Sequence, residues 1–152
     1  MKLAEALVIR ADQKRRIQDL RQRLSRNAKV QEGEQSAEDP NALLTELHGV
    51  VDEFTNLVQR INRTNSATTL SQGLTMADSL ALRDALKIKH AVHRDLAQAA
   101  TVVQDRSLKS EIKFKSAIKV TDVQRRADDF AKEHRELDAK IQEVNWQTEL
   151  VD

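Results

Sequence analysis

The chain has 152 residues, of which 32% are charged and only 3% aromatic, with three Gly, one Pro and no Cys or Tyr. That balance belongs to long helices rather than to a sheet protein, and the length suffices for one domain with a real core. The missing cysteines exclude disulfides, thiolate nucleophiles and Cys-ligated metals, and fit a reducing cytoplasm. The apolar start is broken by Glu5 and runs into Arg10, Asp12 and Lys14 without a cleavage site, so it does not read as a signal peptide. No run approaches ~18 uninterrupted apolar residues, so no membrane span is expected.

Charge is spread unevenly around a net +1. Residues 1–30 carry nine Lys/Arg against three acids, and residues 31–56 carry seven acids and no Lys/Arg. Two adjacent helices of opposite sign would attract as an antiparallel pair. The competing reading is a nucleic-acid face on the basic first helix.

In chain order, the spacing predicts a first helix over 2–26 with the seam Leu3-Ala6-Arg10-Gln13-Ile17-Leu20-Leu24. A polar connector with Gly33 follows. A second helix should cover 40–62, opened by Asp39 as N-cap and Pro40 at the first helical position. Its seam, Leu47-Val50-Phe54-Leu57-Ile61, is apolar throughout and widened by Leu43, Leu44, Val51 and Val58, which marks it as the most buried helix. Asn62 to Thr69 is dense in short hydrogen-bonding side chains that favour leaving a helix. A third helix over 75–104, with Thr75 and Asp78 as a partial capping box, carries Leu82-Ala85-Lys89-Val92-Leu96-Ala99-Val103.

Between Ser110 and Val120 the period changes to two. Ile112, Phe114, Ile118 and Val120 fall on one side, the signature of a strand. A lone strand needs a partner, either within 63–72 or on another subunit, so these four residues form a candidate oligomer arm. Thr121 with Gln124 reads as a capping box for a fourth helix over 121–145, with the seam Val123-Ala127-Phe130-His134-Leu137-Ile141-Val144. The expected fold is one mainly α domain over 1–152: an antiparallel four-helix bundle or coiled coil with one or two short β segments around 111–120.

Arg10, Gln13, Lys89 and His134 interrupt these seams. They snorkel to water, form a buried polar layer that fixes register, or line a ligand site. His90 and His93 share a helical face at i, i+3, and with His134 or a carboxylate they form a candidate metal set. A di-iron bundle would need Glu-x-x-His on two helices, and the chain has none. No phosphate loop, nucleophile elbow or His-Glu-x-x-His motif occurs, so no catalytic residues and no cofactor are assigned.

The stretches Arg26 to Gly33, Ile61 to Thr68, Ser110 to Phe114 and Glu143 to Leu150 resemble a family of small bacterial proteins labelled septicolysin-like. Asn62-Arg63-Thr64-Asn65-Ser66 and Asn145-Trp146-Gln147-Thr148-Glu149-Leu150 are the most specific parts, and the resemblance extends over essentially the whole chain. The label implies a cytolysin, and the resemblance supplies no catalytic residues. The residues themselves favour a cytoplasmic, non-enzymatic helical protein acting through protein contacts. Its expected partners are copies of itself, as a dimer or multiple of dimers with the arm exchanged as one arrangement, and an unidentified protein. A metal- or small-ligand-binding bundle, a nucleic-acid binder and a membrane-active protein are the alternatives.

Overall fold

The computed structural model describes residues 1–71, 73–102 and 112–152. It is mainly α, with helices α1 (Leu3–Arg26), α2 (Pro40–Ala67), α3 (Met76–Ala100) and α4 (Val120–Gln147). Strands β1 (Thr69–Ser71) and β2 (Leu74–Thr75) form a two-stranded sheet. The short sheet therefore lies at 69–75. Residues 112–119 are not a strand: Ser116 Oγ donates to Ile118 O at 2.7 Å and bends that segment. Ser110 and Glu111, which the strand reading includes, lie outside the described residues, as do Val103 and Gln104 of the expected third helix, which ends earlier, at Ala100.

The chain divides into two compact units, Met1–Thr69 with Gln142–Asp152, and Leu70–Ile141. In the first, α1 and α2 pack antiparallel. Leu20 meets Leu43 and Val50 in one apolar cluster, and Leu3 and Ala6 meet Leu57, Ile61 and Leu150 in the other. Each such leucine contributes roughly 1.5–3 kcal/mol by leaving water. The charge asymmetry is used here too: Arg16 donates to Glu46 of α2 at 2.9 Å, and Arg23 Nε donates to Glu38 of the connector at 3.1 Å. The connector closes where Asn27 Oδ1 accepts from Glu38 N at 3.0 Å, and Gly33 takes φ +85° inside a turn from Gln31 to Glu34.

The cap at α2 is as expected, with Asp39 Oδ1 accepting from Asn41 N and Pro40 at the start. Its end is later than expected. Asn62 to Ala67 stay helical, and Thr64 Oγ1 donates to Arg60 O at 2.8 Å instead of breaking the helix. The same hydroxyl also accepts from Val151 N at 3.1 Å. Around it the two ends of the chain are tied together. Leu3 N donates to Thr148 O, Leu150 N donates to Met1 O, and Lys2 Nζ sits 2.6 Å from Glu149. Arg60 and Arg63 donate to the carbonyls of Val151 and Asp152.

In the second unit Thr75 caps α3, its hydroxyl accepting from Asp78 N at 3.1 Å. Gly73, at φ +81°, supplies the left-handed backbone between β1 and β2. Helix α4 begins one residue before the expected cap. Lys119 O accepts from Asp122 and Val123 N, while Gln124 Nε2 donates to Asp128 instead of capping. Met76, Ser79, Leu86 and Ala97 of α3 are buried, as are Ala127 and Ile141 of α4. Arg83 on α3 donates to Asp138 on α4 at 2.7 Å, and His90 Nδ1 lies 2.9 Å from Ala127 O.

Candidate functional site

The most informative surface is on α3. Its buried residues run Met76, Ser79, Leu86, Ala97, with Arg83 and His90 half-buried between them. The stripe that the sequence marks as a seam, Leu82-Ala85-Lys89-Val92-Leu96-Ala99, is a different face, turned about a third of a revolution away. Leu82 is 41% exposed, Val92 57% and Leu96 45%, and Ile88 beside them is 64% exposed. Helix α3 thus carries two apolar faces, one covered and one open.

At its C-terminal end the open face meets the segment before α4. Leu96, Ala99 and Val102 on one wall, with Phe114, Ala117 and Ile118 on the other, line an apolar notch of about 480 Å³. Phe114 is 81% exposed and Ile112 74%. Of the four candidate arm residues, Ile112 and Phe114 stand in solvent, Ile118 is half-buried, and Val120 has become the first residue of α4.

The polar seam residues fall two in each unit. Arg10 on α1 is exposed. Gln13 is half-buried, and its Oε1 is shielded without a hydrogen-bond partner among the described residues. Lys89 is exposed, with Nζ 5.7 Å from the centre of the Phe130 ring, a cation–π contact. His134 is half-buried on α4. Arg10 and Gln13 belong to the first unit, Lys89 and His134 to the second.

The candidate metal set fares differently from a ligand cluster. His90 Nδ1 faces Ala127 O and His93 Nδ1 faces Lys89 O at 2.7 Å. A carbonyl can only accept, so each Nδ1 carries the proton, and a neutral ring offers only Nε2. The His93 ring also packs tilted on Phe130 at 5.1 Å. Among the described residues no three His, Asp or Glu side chains are grouped to hold an ion.

Sequence reasoning missed the tie between the chain ends. Its only signal was that Thr64 and Glu149 sit inside the two most distinctive stretches, which the structure brings together. Lys2 and the N-terminal ammonium, both hydrogen-bonded to Glu149, hold that carboxyl below its ordinary range. At the other end of the α1–α2 pair, the guanidinium of Arg23 does the same to Glu38.

A family model described as a family of unknown function, DUF6847, matches residues 10–150. The chain belongs to that family. A solved structure described as a functionally unknown conserved protein from Corynebacterium diphtheriae is 49% identical, covers 99% of both chains and superposes with a TM-score of 0.94. No curated protein matches. Among the described residues no helix is long and apolar enough to cross a membrane.

Proposed function

We propose that this is a cytoplasmic helical protein that works through protein–protein contacts, as a homo-oligomer assembled on the open face of α3. The observation that carries the reading is the exposure of Leu82, Val92 and Leu96 at coiled-coil spacing on a helix whose other face is already covered. Ile112 and Phe114 extend that apolar surface. The basic first helix favours assembly over nucleic-acid binding, because Arg16 and Arg23 are committed to Glu46 and Glu38.

Size exclusion with light scattering tests the reading. The expected result is an assembly at micromolar concentration that Val92→Glu with Leu96→Glu converts to a monomer of unchanged helicity. A clean wild-type monomer at that concentration overturns it. Leakage from liposomes tests the membrane-active alternative that the septicolysin resemblance implies. Release that persists in the double-Glu variant would favour that alternative over assembly through α3.

A further inference from the structure

We infer that two copies pair through α3 in antiparallel fashion, in one defined register that places Ala85 of each against Leu96 of the other. The inference rests on the assembly reading above and adds the partner's orientation and register. Its basis is the order of spacings along the open face. Positions 82, 85, 89, 92, 96 and 99 step by three, four, three, four and three, which reads the same from either end. A two-fold axis across the helix between His90 and Ala91 therefore lays the stripe on itself. Position 82 falls opposite 99, 85 opposite 96, and 89 opposite 92. A two-fold interface of this kind is self-complementary by construction.

The residue sizes follow the same symmetry. Leu82 meets Ala99 and Leu96 meets Ala85, so each outer layer joins a large side chain to a small one. The notch strengthens the match. Ala99 and Leu96 line it together with Phe114 and Ile118, and the axis brings Leu82 of the second copy to its mouth. A parallel pair would set Ala85 on Ala85 and Ala99 on Ala99, leaving underfilled layers, and would face Lys89 with Lys89.

Charge points the same way. In the antiparallel register Lys89 lies opposite Val92 of the second copy. Asp95 stands three residues further along, about 4.5 Å up the helix, within reach of the lysine's four-carbon stem. Asp95 is 65% exposed and is held at the surface beside Arg94. The two-fold axis forms this Lys89–Asp95 pair twice. Like charges apposed in the parallel seam would instead repel, which discriminates between the two orientations.

The chain has no cysteine, so introduced thiols report alone. Ala85→Cys and Leu96→Cys proteins are mixed under mild oxidation and read on a non-reducing gel. The expected result is a cross-linked dimer in the mixture and none from either variant alone. Self-pairing at 85 or at 96 spans eleven residues, about 16 Å along the axis, whereas a disulfide needs Cα atoms within about 7 Å. Self-linking of each single variant indicates a parallel pair and overturns the register. No link in a sample that scattering reports as dimeric overturns it too, while leaving assembly intact. A monomer overturns the assembly reading itself. Leu82→Cys with Ala99→Cys repeats the test should either first variant fail to fold. Lys89→Glu should weaken dimerisation on the order of tenfold, with Asp95→Lys in the same chain restoring it.

Discussion

The α1–α2 pair and α3 carry apolar stripes of the same spacing, yet one stripe is closed and the other open. In the first, Leu3, Ala6 and Leu20 of the marked seam are buried against α2, and charged side chains fasten the edges. In the second, Leu82, Val92 and Leu96 face water while Met76, Leu86 and Ala97 take the interior. Three-four spacing shows that a helix face needs cover. It does not say whether the cover comes from the same chain. Helix α3 also shows why a second stripe is easily taken for the only one: small residues such as Ser79 and Ala97 mark its buried face, and they signal hydrophobicity weakly.

The sharpest way to test this contrast is to truncate one leucine in each stripe. Leu20→Ala should lower stability by about 2–5 kcal/mol, because it empties space between Leu43 and Val50. Leu96→Ala should cost about 1 kcal/mol or less in the monomer, but remove the dependence of stability on protein concentration. Urea unfolding at two concentrations measures both. Equal losses for the two variants would mean that the α3 stripe is covered within the chain.

Closure at the joined ends gives the next effect in size. Thr64 is buried, and its hydroxyl is the acceptor for Val151 N. Thr64→Val keeps the shape and leaves that N–H without its bond, which should cost about 1–3 kcal/mol. Amide exchange at Val151 and Leu150 should rise in that variant while exchange in α3 stays unchanged. At the start of α2, Asp39→Ala should cost about 1 kcal/mol by removing the acceptor for Asn41 N. A loss below a few tenths would mean that Pro40 alone sets the helix start.

These differences also explain what could be read in advance. Helix existence, the Asp39-Pro40 start, the Thr75 cap and the α1–α2 charge pairing are local or nearest-neighbour properties, and the residues state them directly. Thr64 inside α2 bonds to Val151, far away in sequence, and nothing local in Asn62 to Ala67 signals that the helix continues. The sheet is three residues against two and turns on Gly73, too short to leave a period-two pattern. The alternation at Ile112 to Val120 was a truer pattern without a ladder, because Ser116 bonds locally to Ile118. Of the candidate site residues, the apolar stripe and Phe114 emerged as a surface. Among the described residues no three His, Asp or Glu side chains group to hold an ion, and the Nδ1 atoms of His90 and His93 face backbone carbonyls.

Acid should separate the two stripes by the smallest but most specific effect. Glu38 is held below the ordinary carboxylate value of 4.5 mainly by its hydrogen bond from Arg23, and Glu149 mainly by that from Lys2, then by the N-terminus. A carboxylate with a lowered folded value contributes stability that is fully present above its unfolded value. That contribution is lost as pH falls through the folded value. Glu38 fastens the connector to α1 and Glu149 ties the joined ends of the first unit, so the stability of that unit should decline as pH drops below about 4.5. Glu38→Gln with Glu149→Gln should flatten the decline, because neither group then takes up a proton on unfolding. Urea midpoints between pH 3 and 6 measure the slope, and an unchanged slope in the double variant would show that other carboxylates control it. The same substitutions should leave the Ala85–Leu96 cross-link yield at pH 7 unaltered, since both carboxylates bond to residues of the first unit and the link depends on the second.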